Sequence, residues 1–405
     1  MPVETGGPAP RFPWPPGPFG GEPREFAQRR EQCPFGRVSL RSGHEAILAL
    51  DYADIAAAIG DTRLSRNALT KPGAPRWTKA SNIFTDPISL VNQDGPDHMR
   101  QRQTLAASLT PARVRAWRPL IAETTGRLLD SVEAGGRPGE LMEGYFKPLP
   151  IRIICRLLGV PLADQDTFCG WSNAFMSTVV VTEDEREQAI REFMDYTRGL
   201  VEEQRARPTD NLMGQLVSAC YVDGKLSDEE LFYVLVGVIA AGTDTITNVL
   251  SRITLTLLRD DRAKWQQVAD AGGVSTAVLE ELLRFVQQGN GAMLRVALED
   301  VELPSGTVRA GETLALPLSA AGLDPKAYPD PHQLHFDRVS PPRTLMFGGG
   351  AHYCVGIHLA KAQLQIGLQS LMERFPALDL AVDPRQLRFS KGELLTTIKA
   401  FPAVW

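Results

Sequence analysis

The residues best suited to chemistry lie near the C-terminus. There Phe347-Gly348-Gly349-Gly350-Ala351-His352-Tyr353-Cys354-Val355-Gly356 runs into an apolar helical pattern, Leu359, Leu364, Leu368, Leu371 and Phe375. A cysteine at a helix start meets unpaired backbone N–H groups and the positive end of the helix dipole. Both favour thiolate over thiol, and a thiolate is a good ligand for iron. Glycines lack a Cβ, so the backbone can turn sharply and approach a flat cofactor closely. The same residues also suit a plain glycine-rich turn followed by a buried, inert cysteine.

A second group lies at mid-chain, in Ala241-Gly242-Thr243-Asp244-Thr245. Small residues there make room for a ligand against the helix backbone, and a threonine hydroxyl can bond a carbonyl one turn back and bend the helix. A buried aspartate beside a threonine forms a short proton relay; a Gly-Thr kink with a satisfied aspartate uses the same residues. Glu281 and Arg284 stand at i, i+3, a spacing shared with ordinary surface ion pairs. Cationic donors are spread along the chain. His98 and Arg102 share one helix face, Arg295 begins a strand, and His352 stands two residues before Cys354.

Taken whole, the ten residues from Phe347 to Gly356 resemble the cysteine-ligand loop of the cytochrome P-450 haem-thiolate family, Phe-Gly-x-Gly-x-His-x-Cys-x-Gly, with every fixed position filled. Ala241–Thr245 is similar to that family's oxygen-activation motif, and Glu281 with Arg284 to its Glu-x-x-Arg pair. The resemblance runs from about Tyr52 to Trp405 and is closest to soluble bacterial members. It implies a mainly α fold with minor β, in which haem b (iron protoporphyrin IX) lies between the long helix and the helix after Cys354. Cys354 would be the metal ligand, with Phe347, Gly348, Gly350, Gly356 and Ala241 against the cofactor and His98, Arg102, Arg295 and His352 on its propionates. Thr245 would hydrogen-bond dioxygen, with Asp244 as its proton-supplying neighbour, and Arg338 would join Glu281 and Arg284 in a structural lock. The implied activity is that of a monooxygenase or oxidase. It would use O2 and electrons from NAD(P)H, delivered by a ferredoxin and a ferredoxin reductase. Arg113, Arg115 and Arg118 suit either a docking patch for an acidic partner or an exposed helix face. Two departures stand out. Gly322-Leu323 replaces the Asn-Arg common before the meander's Asp-Pro, and Gln287-Gln288-Gly289-Asn290-Gly291 lacks the usual proline.

Those amides, Phe175-Met176-Ser177 and the tail Phe401–Trp405 are similar to members that oxidise cyclic dipeptides. An aromatic cyclic dipeptide, hydroxylated or oxidatively coupled, is therefore one expected substrate; a macrolide, terpenoid or steroid, or a non-catalytic haem sensor or carrier, are the alternatives. Trp77, Phe84, Met176, Val236, Ala240, Gln288, Met293 and Leu394 are candidates for the pocket wall, each also suited to plain core packing.

The rest of the chain must position these groups. At 405 residues and 43% hydrophobic, it reads as one large domain over 24–405, preceded by a Pro/Gly-rich arm over 1–23. The arm suits either a flexible segment or one docked through Trp14 and Phe19. A net charge of -5 argues against nucleic acid as a partner. Five scattered cysteines fit neither a disulfide framework nor a zinc spacing, which predicts a cytoplasmic protein; a monomer is expected. Periodicity predicts helices over 111–134, 145–158 (ended by Pro161), 165–181, 184–205, 231–258 and 274–286. Strands are predicted over 37–40, 45–50, 295–301 and 307–316. Ser227 and Glu230 form a capping box for the long helix, which spans roughly 42 Å at 1.5 Å per residue. Its polar residues from Thr243 to Asn248 argue against a membrane span.

Overall fold

The computed structural model describes residues 9–76, 86–176, 183–286, 289, 291–390 and 395–405. The chain opens with strand β1 (Arg11–Phe12), helix α1 (Arg24–Gln32), strands β2 (Phe35–Leu40) and β3 (Glu45–Ala49), helix α2 (Tyr52–Ala58) and strand β4 (Leu64–Ser65). Helices α3 (Gly95–Ser108) and α4 (Pro111–Ala134) follow, then strand β5 (Gly139–Glu140) and helix α5 (Pro148–Leu158). Next come α6 (Gln165–Met176), α7 (Glu183–Ala206), α8 (Leu212–Tyr221) and α9 (Asp228–Leu258). The last third holds α10 (Ala263–Asp270), α11 (Thr276–Phe285), β6 (Met293–Ala297), β7 (Val301–Leu303), β8 (Gly306–Val308) and β9 (Thr313–Leu316). It closes with α12 (Ile357–Arg374), β10 (Asp379–Leu380) and β11 (Pro402–Val404). Helix dominates and sheet is minor, the class expected from the sequence.

Two compact units share this chain, each built from separated segments. Met1–Gly95, Arg252–Cys354 and Val382–Lys399 form the first; Pro96–Ser251, Val355–Ala381 and Ala400–Trp405 form the second.

The first unit is organised by a six-stranded sheet, β1-β2-β3-β9-β6-β4. Its central strand β3 is an apolar run because both of its faces are covered. Ile47 and Ala49 enter one cluster with Phe35, Leu314 and Leu316, while Ala46 and Leu48 enter another with Phe12, Phe26 and Ala315. The proline-rich arm is docked from residue 9 onward. β1 pairs parallel with β2, and Phe12 is buried against Trp14 and Phe26. The run expected as two long strands is split. β6 and β9 pair antiparallel in the main sheet, and β7 and β8 form a small hairpin between them.

In the second unit, the Ser227 amide donates to Glu230 Oε2 (2.8 Å) and the Glu230 amide to Ser227 Oγ (3.2 Å), so α9 begins with the reciprocal cap. By length and composition α9 could cross a membrane, since an 18-residue window has mean hydropathy 1.5 despite the polar residues within it. However, 67% of that window is buried inside the protein, as in a core helix. α12 packs on α4, and Gly367 permits its approach to α5. The Tyr145 hydroxyl donates to the Gly367 carbonyl (2.6 Å), and a Cβ at Gly367 would stand 3.0 Å from Leu149 Cδ2. Tyr145 and Phe146 are not in α5, as the periodicity suggested, but in a π-turn over Met142–Phe146. α5 is ended by Gly159 in the left-handed region (φ 80°), two residues before Pro161. α6 and α7 pair through Phe168 on Phe193 and a Trp171 Nε1 bond to Glu192 (2.7 Å). The side chains of Phe175 and Met176, and Val180 itself, lie outside the described residues.

Candidate functional site

The cysteine loop belongs to the first unit and is shaped by its own backbone. The Gly348 amide donates to Leu345 O (2.8 Å), the Tyr353 amide to Gly350 O (3.1 Å) and the Cys354 amide to Phe347 O (2.9 Å). Gly348 and Gly350 have φ of 72° and 59°, in the region that disfavours any residue with a Cβ. At Gly350 a Cβ would also lie 2.8 Å from Gly60 Cα and from Ile59 O, so the loop rests directly on the end of α2. Arg343 Nη1 donates to Gly348 O (3.0 Å), and its guanidinium stands over the Tyr353 ring. Gly356 is the N-cap residue of α12, which places Cys354 two residues before the cap; its side chain is half-exposed.

Beside this loop the fold gathers charge. Asp94 Oδ2 accepts from Ser65 Oγ (2.6 Å) and from the amides of Arg66 (2.9 Å) and Asn67 (2.8 Å), while Oδ1 meets His352 Nε2 at 3.2 Å. The Arg66 guanidinium bonds Val91 O, Asn92 Oδ1 and Leu294 O. Arg295, 3% exposed, donates to Leu294 O. Burial first, then the charge of Arg66, pulls Arg295 down to about 9, against Asp94. Burial likewise pulls Arg66 down to about 10. For Asp94, burial raises the carboxyl's pKa, but the bonds from His352, Ser65 and Asn67 outweigh it and hold the group well below the carboxylate range. For His352, burial and the two arginines lower the pKa and outweigh Asp94, so the imidazole is not made a stronger base by its carboxylate partner. One buried and one partly buried guanidinium against one carboxylate leave a positive region around His352.

In the second unit, α3 carries His98, buried at 3%, and Arg102, partly exposed. Between them, Arg100 Nη2 (2.6 Å) and Gln101 Nε2 (2.9 Å) both donate to Glu230 Oε1, which ties α3 to the start of α9. Further along α9, Thr245 Oγ1 donates to Ala241 O (2.6 Å) and Thr243 Oγ1 to Ile239 O (2.9 Å). The expected buried Asp–Thr pair is corrected here. Asp244 is exposed and Thr245 half-buried, and positions 241, 244 and 245 share one helix face.

A family model for cytochrome P-450 matches residues 274–401. Mycinamicin IV hydroxylase/epoxidase of Micromonospora griseorubida is 35% identical over 381 residues, with 94% of each chain covered. Nocardicin C N-oxygenase of Nocardia uniformis subsp. tsuyamanensis is 35% identical over 383 residues, again with 94% of each covered. The solved structure of the LnmA P-450 hydroxylase, from the leinamycin pathway of Streptomyces atroolivaceus, has 36% identity and a TM-score of 0.90. That likeness covers 98% of this chain and 100% of the other. The chain belongs to the cytochrome P-450 family.

This P-450 is therefore a monooxygenase of bacterial type, and the family implies haem-thiolate and O2. The residues present fit such a group. Among the described residues, no cluster of three or more His, Cys, Asp or Glu could hold a metal ion. The Cys354 side chain is half-exposed, and the positive region around His352 and Arg295 suits carboxylate groups.

The P-450's Glu281 is enclosed by donors. Arg284 supplies Nε (2.8 Å) and Nη2 (2.7 Å), Arg338 Nε stands at 3.0 Å, and the His335 amide at 2.9 Å. Burial raises the Glu281 pKa, but Arg284, His335 and Arg338 lower it on balance. Arg284 also donates to the carbonyls of Gly322 (2.7 Å), Pro331 (2.8 Å) and Gln333 (2.9 Å). Gly322, a departure from the family pattern, is explained by proximity: a Cβ there would stand 2.2 Å from Arg284 O.

Of the expected pocket wall, Val236 and Ala240 are buried on α9, and Met293 is half-buried against the first unit's core. Trp77, Phe84, Gln288 and Leu394, and the side chain of Met176, lie outside the described residues. On α4, Arg113 pairs with Asp210 (3.1 Å), Arg118 bonds Gln365 (3.2 Å) and Arg115 is exposed, so part of that charge is already matched. Sequence reasoning missed Arg66 and Asp94. Asp94 carried a faint signal, opening the Asp-Gly-Pro-Asp turn before His98; Arg66 carried none.

Proposed function

We propose that this P-450 binds haem b through the Cys354 thiolate and oxidises a small secondary metabolite, with aromatic cyclic dipeptides the substrate class to test first. The observation that carries the reading is the Cys354 loop itself, held open by two left-handed glycines beside a buried positive cluster. When bound, the haem-thiolate group supplies O2 activation, the thiolate favouring O–O cleavage. The chain's own residues do the rest. His98, Arg102, Arg295 and His352 take the propionates, and Phe347, Gly348, Gly350, Gly356 and Ala241 line the cofactor.

Thr245 and Asp244 handle protons. A hydroxyl has one proton and two lone pairs. With its proton on Ala241 O, Thr245 presents an acceptor away from the backbone, and it becomes a donor there only by releasing that bond. Asp244, being exposed, exchanges protons with solvent and recharges the threonine. Relatives named for mycinamicin, nocardicin and thaxtomin chemistry support a secondary-metabolite substrate. Electrons would come from NAD(P)H through a ferredoxin and its reductase, with Arg115 and its neighbours as the docking face. A cytoplasmic location belongs to the same reading; among the described residues Cys33, Cys155, Cys220 and Cys354 form no disulfide.

The test is the carbon monoxide spectrum of the reduced protein. A strongly red-shifted Soret band that Cys354→Ser abolishes is the expected result; a variant that keeps it refutes the ligand assignment. Substrate follows from a ligand screen for haem spectral shifts. A response to steroids or fatty acids but to no cyclic dipeptide would refute the substrate class alone.

A further inference from the structure

One carboxylate governs the positive cluster. Asp94 is fixed by the turn it caps, since Ser65 Oγ and the amides of Arg66 and Asn67 all converge on Oδ2. A carboxylate pinned through one oxygen cannot swing, so the position of Oδ1 is inherited from the turn. That oxygen meets His352 Nε2 at 3.2 Å. A histidine with one nitrogen committed in this way has its ring orientation set by the partner, and in its doubly protonated form the other nitrogen can donate to a carboxylate. Asp94 is also the anion that offsets Arg66 and Arg295, whose pKa values both respond to it. Resting on the reading of His352 as a propionate donor, we propose that Asp94 is a positioning residue for the haem. It holds the His352 ring in place and sets the net charge beside the cofactor.

Two consequences can be separated. Asp94→Asn removes the charge and the hold on His352. Loss of a charge-assisted hydrogen bond predicts about tenfold faster haem transfer to apomyoglobin. Removing an anion from the surroundings of a bound haem would disfavour the more positively charged oxidised state, so the reduction midpoint should move to a more positive value. Asp94→Glu keeps the charge but not the geometry, so it should release haem faster while keeping a midpoint close to wild type. It also carries the test if the asparagine variant fails to fold. Ser65→Ala keeps the charge and removes one of the three donors that pin Asp94, so it should speed haem transfer slightly while leaving the midpoint at the wild-type value.

The decisive measurement is a double-mutant cycle on haem transfer, because a residue acting through His352 adds nothing once His352 is gone. Asp94→Asn combined with His352→Gln should transfer haem no faster than His352→Gln alone. Independent multiplication of the two effects overturns the proposal, as does an Asp94→Asn variant with wild-type transfer and midpoint. If wild type itself lacks the thiolate spectrum, it is the haem-ligand reading that fails.

Discussion

Replacing Glu281 by alanine should destabilise the first unit more than replacing Arg338, the outer of its two arginine partners. Glu281 is 6% exposed, and its carboxylate is bonded by Arg284, Arg338 and the His335 amide. Breaking a buried pair from one side typically costs about 3–5 kcal/mol, because the partner is left charged and buried. Here the orphaned cations keep other acceptors. Arg284 retains the Gly322, Pro331 and Gln333 carbonyls, and Arg338 retains Pro329 O (2.7 Å). That places Glu281→Ala near the lower end, at about 3 kcal/mol. Arg338→Ala leaves Glu281 with Arg284 and His335, so it should cost about 1.5 kcal/mol, the low end for a charged hydrogen bond. The double variant should fall short of the sum by at least about 0.5 kcal/mol, since the two share one carboxylate. Denaturant unfolding of the holoprotein, followed by far-ultraviolet circular dichroism and by the Soret band, measures all three. If Arg338→Ala costs as much as Glu281→Ala, or the two effects add fully, Glu281 is not the hub of the network.

Glu230 gives a pH prediction. The Arg100 bond, against burial and with help from Ser227 and Gln101, pulls its carboxyl from 4.5 down to about 2. A depressed acid contributes stability that is full above about pH 4.5 and is lost as pH falls through about 2. Glu230→Gln keeps a capping-box residue but removes the charge, so its acid unfolding should be less steep in that window; an identical profile would refute the link. Gly350→Ala should abolish haem incorporation, read as the ratio of Soret to protein absorbance. Alanine at φ 59° costs about 1–2 kcal/mol, and its Cβ also meets Gly60 and Ile59 backbone. Thr245→Ala should raise NAD(P)H consumed per product formed; unchanged coupling would remove Thr245 from the proton path.

Much of this P-450 was legible because its signals are local. The α9 cap needs only Ser227 and Glu230, three residues apart, and their two reciprocal bonds form as the spacing predicts. The Cys354 loop is likewise written in ten consecutive residues, where Gly348 and Gly350 take the positive φ values that their type allows. The start of α5 was misplaced because a π-turn preserves apolar spacing for one extra turn, so Tyr145 and Phe146 look helical in periodicity yet belong to another geometry. The arm left two readings open because its prolines mask pairing. Only Arg11 and Phe12 enter the sheet, too few for alternation to register.

What sequence could not supply is charge balance. Arg66, Asp94, Arg295 and His352 come from four distant segments, and each taken singly looks like a surface charge. Their meaning lies in the surplus: two arginines, both buried enough to lose basicity, share one carboxylate that is itself held far below its ordinary pKa. The opposite error arose at Asp244, where an acid beside a threonine was taken as buried but is exposed. At Asp244 the residue type was as expected and its environment was not. Environment is what decides whether a titratable group stores charge or exchanges it with water. The set around Asp94 is enclosed and stores charge, whereas the exposed Asp244 exchanges with water.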